Sequence, residues 1–93
     1  MDYHIRDNPT ASRFETAVDG QLAVLDYRRE GDTIVFTRAG VPTPIEGRGI
    51  AAALTKAALE AARAEGLRVV AQCSYVAAYL RRNPEFADLE ASR

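Results

Sequence analysis

Tryptophan is absent from this sequence, and cysteine, histidine and methionine occur once each. A lone cysteine cannot close an internal disulfide, so a stapled secreted scaffold is excluded and a cytoplasmic setting is expected. No His, Cys, Asp or Glu residues cluster at ligand spacing, so no metal is expected. His4, the one histidine, lies on an early strand, where a structural role is the plain reading. Neither sign of charge dominates: 12 basic residues face 13 acidic ones, a net charge of −1. That balance leaves no footprint for nucleic acid or an anionic membrane. No apolar run approaches spanning length, no charged-then-apolar leader opens the chain, and nothing repeats. The nucleotide motifs fail as well. No Lys-Ser or Lys-Thr pair occurs, and Ala52 stands where the dinucleotide fingerprint needs its third glycine.

What is present is an ordinary globular composition, 47% hydrophobic and 27% charged. It fits one domain, 1–93, burying about 60–65% of its unfolded surface. Tyr3 to Arg6 alternates weakly, and Asp7-Asn8-Pro9 reads as a turn. Arg13 to Val18 alternates around Phe14, Thr16 and Val18. Asp19-Gly20 is a hairpin signal, two residues that tolerate positive φ between alternating runs. Gln21 to Arg29 answers it, with Leu22, Val24 and Asp26 on one face and Ala23, Leu25 and Tyr27 on the other. After a turn at Glu30-Gly31-Asp32, Thr33 to Ala39 forms a fourth strand. Its Ile34-Val35-Phe36 run is apolar on both faces, which places it inside the sheet. Gly40 then predicts a bulge or a close backbone approach, and Pro42 and Pro44 end pairing.

From Ile50 the apolar positions Ala53, Leu54, Ala57, Ala58 and Ala61 recur at helical spacing, and Gly66 is the expected stop. Leu67 to Gln72 is a short buried strand. Ser74 is the expected N-cap of a helix over Tyr75 to Arg82, ended by Asn83-Pro84. Glu85 to Arg93 predicts one more helical turn and then a fraying end. The order β-β-β-β-α-β-α is an α/β (α+β) fold: an antiparallel meander, a β-α-β unit with strands four and five parallel, and a C-terminal helix. The start of the first helix carries the functional signal. Its unpartnered N–H groups and the helix dipole favour an anion, Gly47 and Gly49 let one approach, and Arg48 adds a cation. A phosphate cradle and a mere change of chain direction both fit this turn.

A bulged fourth strand followed by Glu46-Gly47-Arg48-Gly49-Ile50-Ala51 resembles the GNAT (Gcn5-related) N-acetyltransferase superfamily. The signature there is Gln/Arg-x-x-Gly-x-Gly/Ala; Gly49 and Ala51 match, while Glu46 stands where Gln or Arg is usual. More narrowly the chain resembles the minimal single-domain GNAT-like family. The shared features are Asn8 with Arg13-Phe14-Glu15, the turn Gly47 to Ala51, and Cys73-Ser74-Tyr75-Val76-Ala77-Ala78-Tyr79. The resemblance implies acetyl-CoA (coenzyme A) binding. The pyrophosphate would rest on the amides of Glu46, Gly47, Arg48, Gly49, Ile50 and Ala51. The pantetheine arm would pair with the fourth strand around Ala39, Gly40 and Val41, where two parallel strands splay apart. Cys73 would lie on the wall of that gap.

The small family commonly carries His-Thr-Glu-Val at the end of strand four, whereas this chain has Arg38-Ala39-Gly40-Val41. An acid–base pair therefore does not carry over. Tyr79 is the candidate acid for the leaving thiolate, with core packing as the alternative. Cys73 is a candidate nucleophile beside a helix N-terminus, or simply a small apolar filler. Arg81 and Arg82 are either contacts for the coenzyme's 3′-phosphate or a solvated helix end. The expected function is acetyl transfer from acetyl-CoA to an amine, on a small molecule or a protein, with a coenzyme-binding module of weak or no activity as the alternative. The sequence leaves the acceptor and the oligomeric state open.

Overall fold

A computed structural model describes residues 2–91. Five strands, β1 (Arg6–Asn8), β2 (Arg13–Val18), β3 (Gln21–Glu30), β4 (Thr33–Gly40) and β5 (Arg68–Ala71), form one sheet in chain order. The first four are antiparallel, and β5 runs parallel to β4. Helix α1 (Ile50–Glu65) supplies the crossover between β4 and β5, and α2 (Ser74–Arg82) follows β5. Short 3-10 segments span Thr43–Ile45 and Pro84–Leu89. None of the described helices is long and apolar enough to cross a membrane.

Alternation decides which face of the sheet is covered. Phe14, Ala23, Leu25, Tyr27, Ile34, Phe36 and Val69 join Ile50, Leu54, Ala58 and Leu59 of α1 and Val76 and Leu80 of α2 in one apolar cluster. Leu54 and Leu59 are at most 1% exposed, and burying each such side chain stabilises by roughly 1.5–3 kcal/mol. Both helices therefore lie on the same side. The opposite face carries Arg6, Arg13, Glu15, Leu22, Asp26 and Arg38, and none of the described helices covers it.

The hairpin between β2 and β3 turns on Asp19 and Gly20, both at positive φ, as its sequence requires. Four expectations need correction. The first strand is Arg6–Asn8 rather than Tyr3 to Arg6, and the turn falls at Pro9–Ser12. Partners hold these polar residues in the sheet: Tyr27 donates to Asp7 at 2.6 Å and Asn8 donates to Glu15 at 3.3 Å. The bulge sits at Thr37, not Gly40. Asp26 pairs with Arg38 and Tyr27 with Phe36, leaving Thr37 extra, while Gly40 still pairs with Val24.

Helix α2 has Cys73, not Ser74, at its N-cap, with no side-chain cap bond. The Cys73 N–H is bound to the Phe36 carbonyl at 2.9 Å, which holds Cys73 extended as the last residue of the strand region. Finally, the tail closes on the sheet edge: after Pro84–Leu89 the Ala91 N–H reaches the Val69 carbonyl at 2.8 Å. Ser92 and Arg93, at the end of the expected fraying tail, lie outside the described residues.

On the open face Glu15 is only 5% exposed, and its carboxylate accepts from Arg13 Nε at 2.7 Å and Arg6 Nε at 2.8 Å. The Arg13 hydrogen bond first, then that of Arg6, lowers the carboxyl from 4.5 to about 2, against an opposing push from burial. A depressed folded-state value stabilises above the unfolded one and is lost as pH falls through the folded one. Unfolding midpoints in urea should therefore fall as pH drops from about 4.5 towards about 2. Glu15→Gln should be less stable at neutral pH and show a flatter acid limb over that window. A mutant curve parallel to wild type would contradict the assignment.

Candidate functional site

The site begins where the parallel pair stops. β4 and β5 pair from Thr33 with Arg68 to Phe36 with Ala71. The Phe36 carbonyl then accepts two donors, the N–H groups of Gln72 at 3.0 Å and Cys73 at 2.9 Å. Past that point no described residue pairs with β4 on its β5 side. The Thr37 bulge adds local twist at the same level. A wedge opens there, with the polar edge of Thr37–Gly40 along one side and Cys73, 7% exposed, at its apex.

One short excursion joins β4 to α1. Ile45, 1% exposed, anchors the Thr43–Ile45 turn in the core, and the Glu46 N–H closes that turn on the Thr43 carbonyl at 3.2 Å. Gly47 and Gly49 then take left-handed φ of +79° and +74°, with Arg48 at negative φ between them. A Cβ on either glycine would meet nothing within 4 Å, so backbone angle rather than crowding requires glycine there. The first helical bond of α1 is Ala53 N–H to the Gly49 carbonyl at 3.0 Å. Six consecutive N–H groups, Gly47 to Ala52, consequently have no acceptor among the described residues. Alternating backbone hand aims such donors into a concavity, and the positive end of α1 adds to it. They open on a groove of about 350 Å³ lined by Val41, Ile45, Glu46, Ala51 and Tyr75, among others. Free donors, glycine-dependent curvature and an adjoining unpaired strand edge together fit a pyrophosphate attached to an extended amide chain.

The expected residues divide. Gly47, Arg48, Gly49, Ile50 and Ala51 all offer free amides; Glu46 does not, because its N–H is spent on Thr43, and its carboxylate stands at the groove. Ala52, not foreseen, supplies the sixth donor. The Arg48 side chain departs from expectation. Its Nη1 pairs with Asp19 Oδ2 at 2.7 Å, and its carbonyl accepts from the Tyr3 hydroxyl at 2.6 Å, so its charge is turned toward the β2–β3 hairpin. Val41 lines the groove, and Ala39 and Gly40 lie on the unpaired edge beside it. Tyr79 is not among the groove residues: its ring stacks tilted on Phe86 at 6.3 Å, and burial, then the Glu85 charge, pushes its phenol up. Tyr75, one turn nearer the wedge, lines the groove instead. Its place in the first turn after Cys73 was the available signal. Arg81 and Arg82 stand exposed at the far end of α2.

Because an L-residue in the left-handed region costs roughly 1–2 kcal/mol, Gly47→Ala and Gly49→Ala should each lower unfolding free energy by about that amount in urea titrations. No loss in either would mean that the turn is not held at these angles.

A family model described as GCN5-related N-acetyl-transferase matches residues 13–89. Protein NATD1 of Gallus gallus and of Mus musculus is 41% identical over 63 residues, which covers 67% of this chain. The chain spans 57% of the length of those curated relatives. Among solved structures, the solution structure of a GCN5-like candidate N-acetyltransferase from Staphylococcus aureus superimposes with a TM-score of 0.76 at 26% identity. That match covers 98% of this chain and 90% of the other.

Proposed function

Because the chain belongs to the GCN5-related N-acetyltransferase family, we propose that it moves an acetyl group from acetyl-CoA to an amine. The observation that carries this reading is the run of six free amides beside an unpaired strand edge. Gly47 to Ala52 would hold the pyrophosphate, and the β4 edge near Ala39 would pair with the pantetheine arm. Acetyl-CoA, when bound, would supply a thioester for attack by the amine, the amide forming as the C–S bond breaks; one phenol would protonate the leaving sulfur and regain its proton from the attacking amine. We assign that phenol to Tyr75, which lines the groove, rather than to Tyr79, whose ring packs on Phe86. Cys73 forms the closed end of the wedge, and direct transfer needs no more of it. The acceptor is an amine on a small molecule or a protein, and the activity belongs to the cytoplasm, where one unpaired thiol stays reduced.

Titration calorimetry with acetyl-CoA, coenzyme A and ATP tests the binding. Both coenzymes should bind and ATP should not. Gly49→Glu should abolish binding, while Gly49→Ala, which carries the backbone strain without the charge, should retain part of it. A folded wild type that ignores both coenzymes would refute the reading. For the chemistry, Tyr75→Phe should lower kcat on the order of 100-fold and Tyr79→Phe should not. Cys73→Ser should retain turnover; an acetyl adduct on Cys73 in the intact mass, with turnover lost in Cys73→Ser, would replace direct transfer by a covalent route.

A coenzyme-binding module with little turnover is the second reading. The end of β4 favours it, since Arg38, Ala39 and Gly40 present neither histidine nor carboxylate there. The double change Arg38→His with Gly40→Glu separates the two: a large gain in turnover supports the module, and no gain supports an intact mechanism. The changes belong together, because a Cβ on Gly40 would lie 2.6 Å from Nη1 of Arg38.

A further inference from the structure

The helix-free face of the sheet holds a second groove, of about 410 Å³, against the same end of β4. Arg13, Asp26, Arg38, Gly40 and Val41 are among its lining residues, and Val41 lines the amide-bearing groove as well. The two grooves thus meet along β4, one on each side of the strand end that has no β5 partner.

Charge on the sheet face around this second groove is unevenly committed. Glu15 is saturated by Arg6, Arg13 and Asn8. Asp26 has a single cation, Arg38, through Nε at 3.3 Å. Three arginines therefore face two carboxylates, leaving one positive charge in excess. The Arg38 side chain is 64% exposed, and no described residue accepts a hydrogen bond from its Nη1 or Nη2. Nη1 lies over Gly40, in the space a Cβ would need. An exposed guanidinium with Nη1 and Nη2 both unspent can grip a carboxylate through two parallel hydrogen bonds. A phosphate dianion would ask for more positive charge than this patch has to spare.

We infer that this groove is the acceptor site, and that it takes an amine which also carries a carboxylate: the carboxylate on the Arg38 fork, the amine passing Gly40 towards the wedge. This rests on the coenzyme reading and deepens it by assigning the acceptor class. Gly40 has a part in it, since the missing side chain is what lets the guanidinium lie beside the strand end.

Amide NMR of the whole labelled chain, saturated with coenzyme A, tests it. The probes are glycine, β-alanine, γ-aminobutyrate and ε-aminocaproate, each against its carboxamide. At least one acid should shift the Asp26, Arg38 and Gly40 resonances saturably while its carboxamide leaves them in place. Arg38→Gln should weaken that acid by about tenfold or more, and Arg38→Lys by less. Gly40→Ala, which keeps every charge but pushes the guanidinium aside, should weaken it too. The coenzyme's own shifts at Gly47 to Ala52 report the underlying reading separately. Coenzyme shifts without any acid shift, carboxamides that match the acids, or an Arg38→Gln variant with unchanged affinity would each overturn the acceptor assignment alone. Absence of the coenzyme shifts would sink the coenzyme reading and this assignment with it.

Discussion

The Phe36 carbonyl is the point on which the functional half of the molecule depends. By accepting from both Gln72 and Cys73 it spends its two lone pairs and ends the parallel ladder. Everything distal follows from that. Cys73 is fixed as the N-cap of α2, α2 turns away with Tyr75 in its first turn, and the β4 edge is released. An unpaired edge in a sheet interior is ordinarily a liability, because each unpaired N–H and C=O seeks a partner. Here it is confined to the few residues after the Thr37 bulge, next to a helix end with unpaired donors of its own. The tail treats the opposite edge differently. Ala91 bonds to Val69, so the outer edge of β5 is covered at that residue.

The candidate anion site is made almost wholly of backbone. α1 has no acidic residue in its first turn, and the side chain that looked like its cation, Arg48, is engaged by Asp19. Arg48 contributes by geometry instead: its carbonyl is held by Tyr3 and its guanidinium by the hairpin, which fixes the peptide planes between the two glycines. Backbone donors suit a diphosphate because they are preorganised and carry no rotamer entropy to lose. Glu46 opposes them electrostatically. It stands exposed at the groove, where solvent screening weakens the repulsion.

Local signals made much of this legible in the sequence. The Asp19-Gly20 turn, the two-faced apolar run of β4, the helical spacing from Ile50 and the glycine pair each act within a few residues of chain, and each element lies where its pattern placed it. The misplaced features depend on contacts remote in sequence. Asp7 and Asn8 look like a turn until Tyr27 and Glu15 are brought beside them. A bulge at Thr37 is invisible to alternation, because threonine tolerates either face of a strand and Gly40 was the more conspicuous irregularity. Arg48 and Asp19 are separated by the whole of β3 and β4. That Tyr75 lines the groove while Tyr79 packs on Phe86 reflects the Cys73 N-cap, which sets where α2 starts, rather than the spacing of the two tyrosines.

The open face of the sheet is best understood through its arginines. A sheet with helices on one side only must keep its other side compatible with water, and alternating charge does this without an additional layer. The Glu15 cluster goes further. A carboxylate buried to 5% exposure beneath two guanidiniums and an amide is rigid, because each arginine that reaches it loses freedom to the same anchor. Arg38 lacks such an anchor: it has one long contact to Asp26, and its exposed guanidinium lies over Gly40. That difference in commitment, on one face with β3 between, separates the arginines that complete the fold from the one whose Nη1 and Nη2 are unspent.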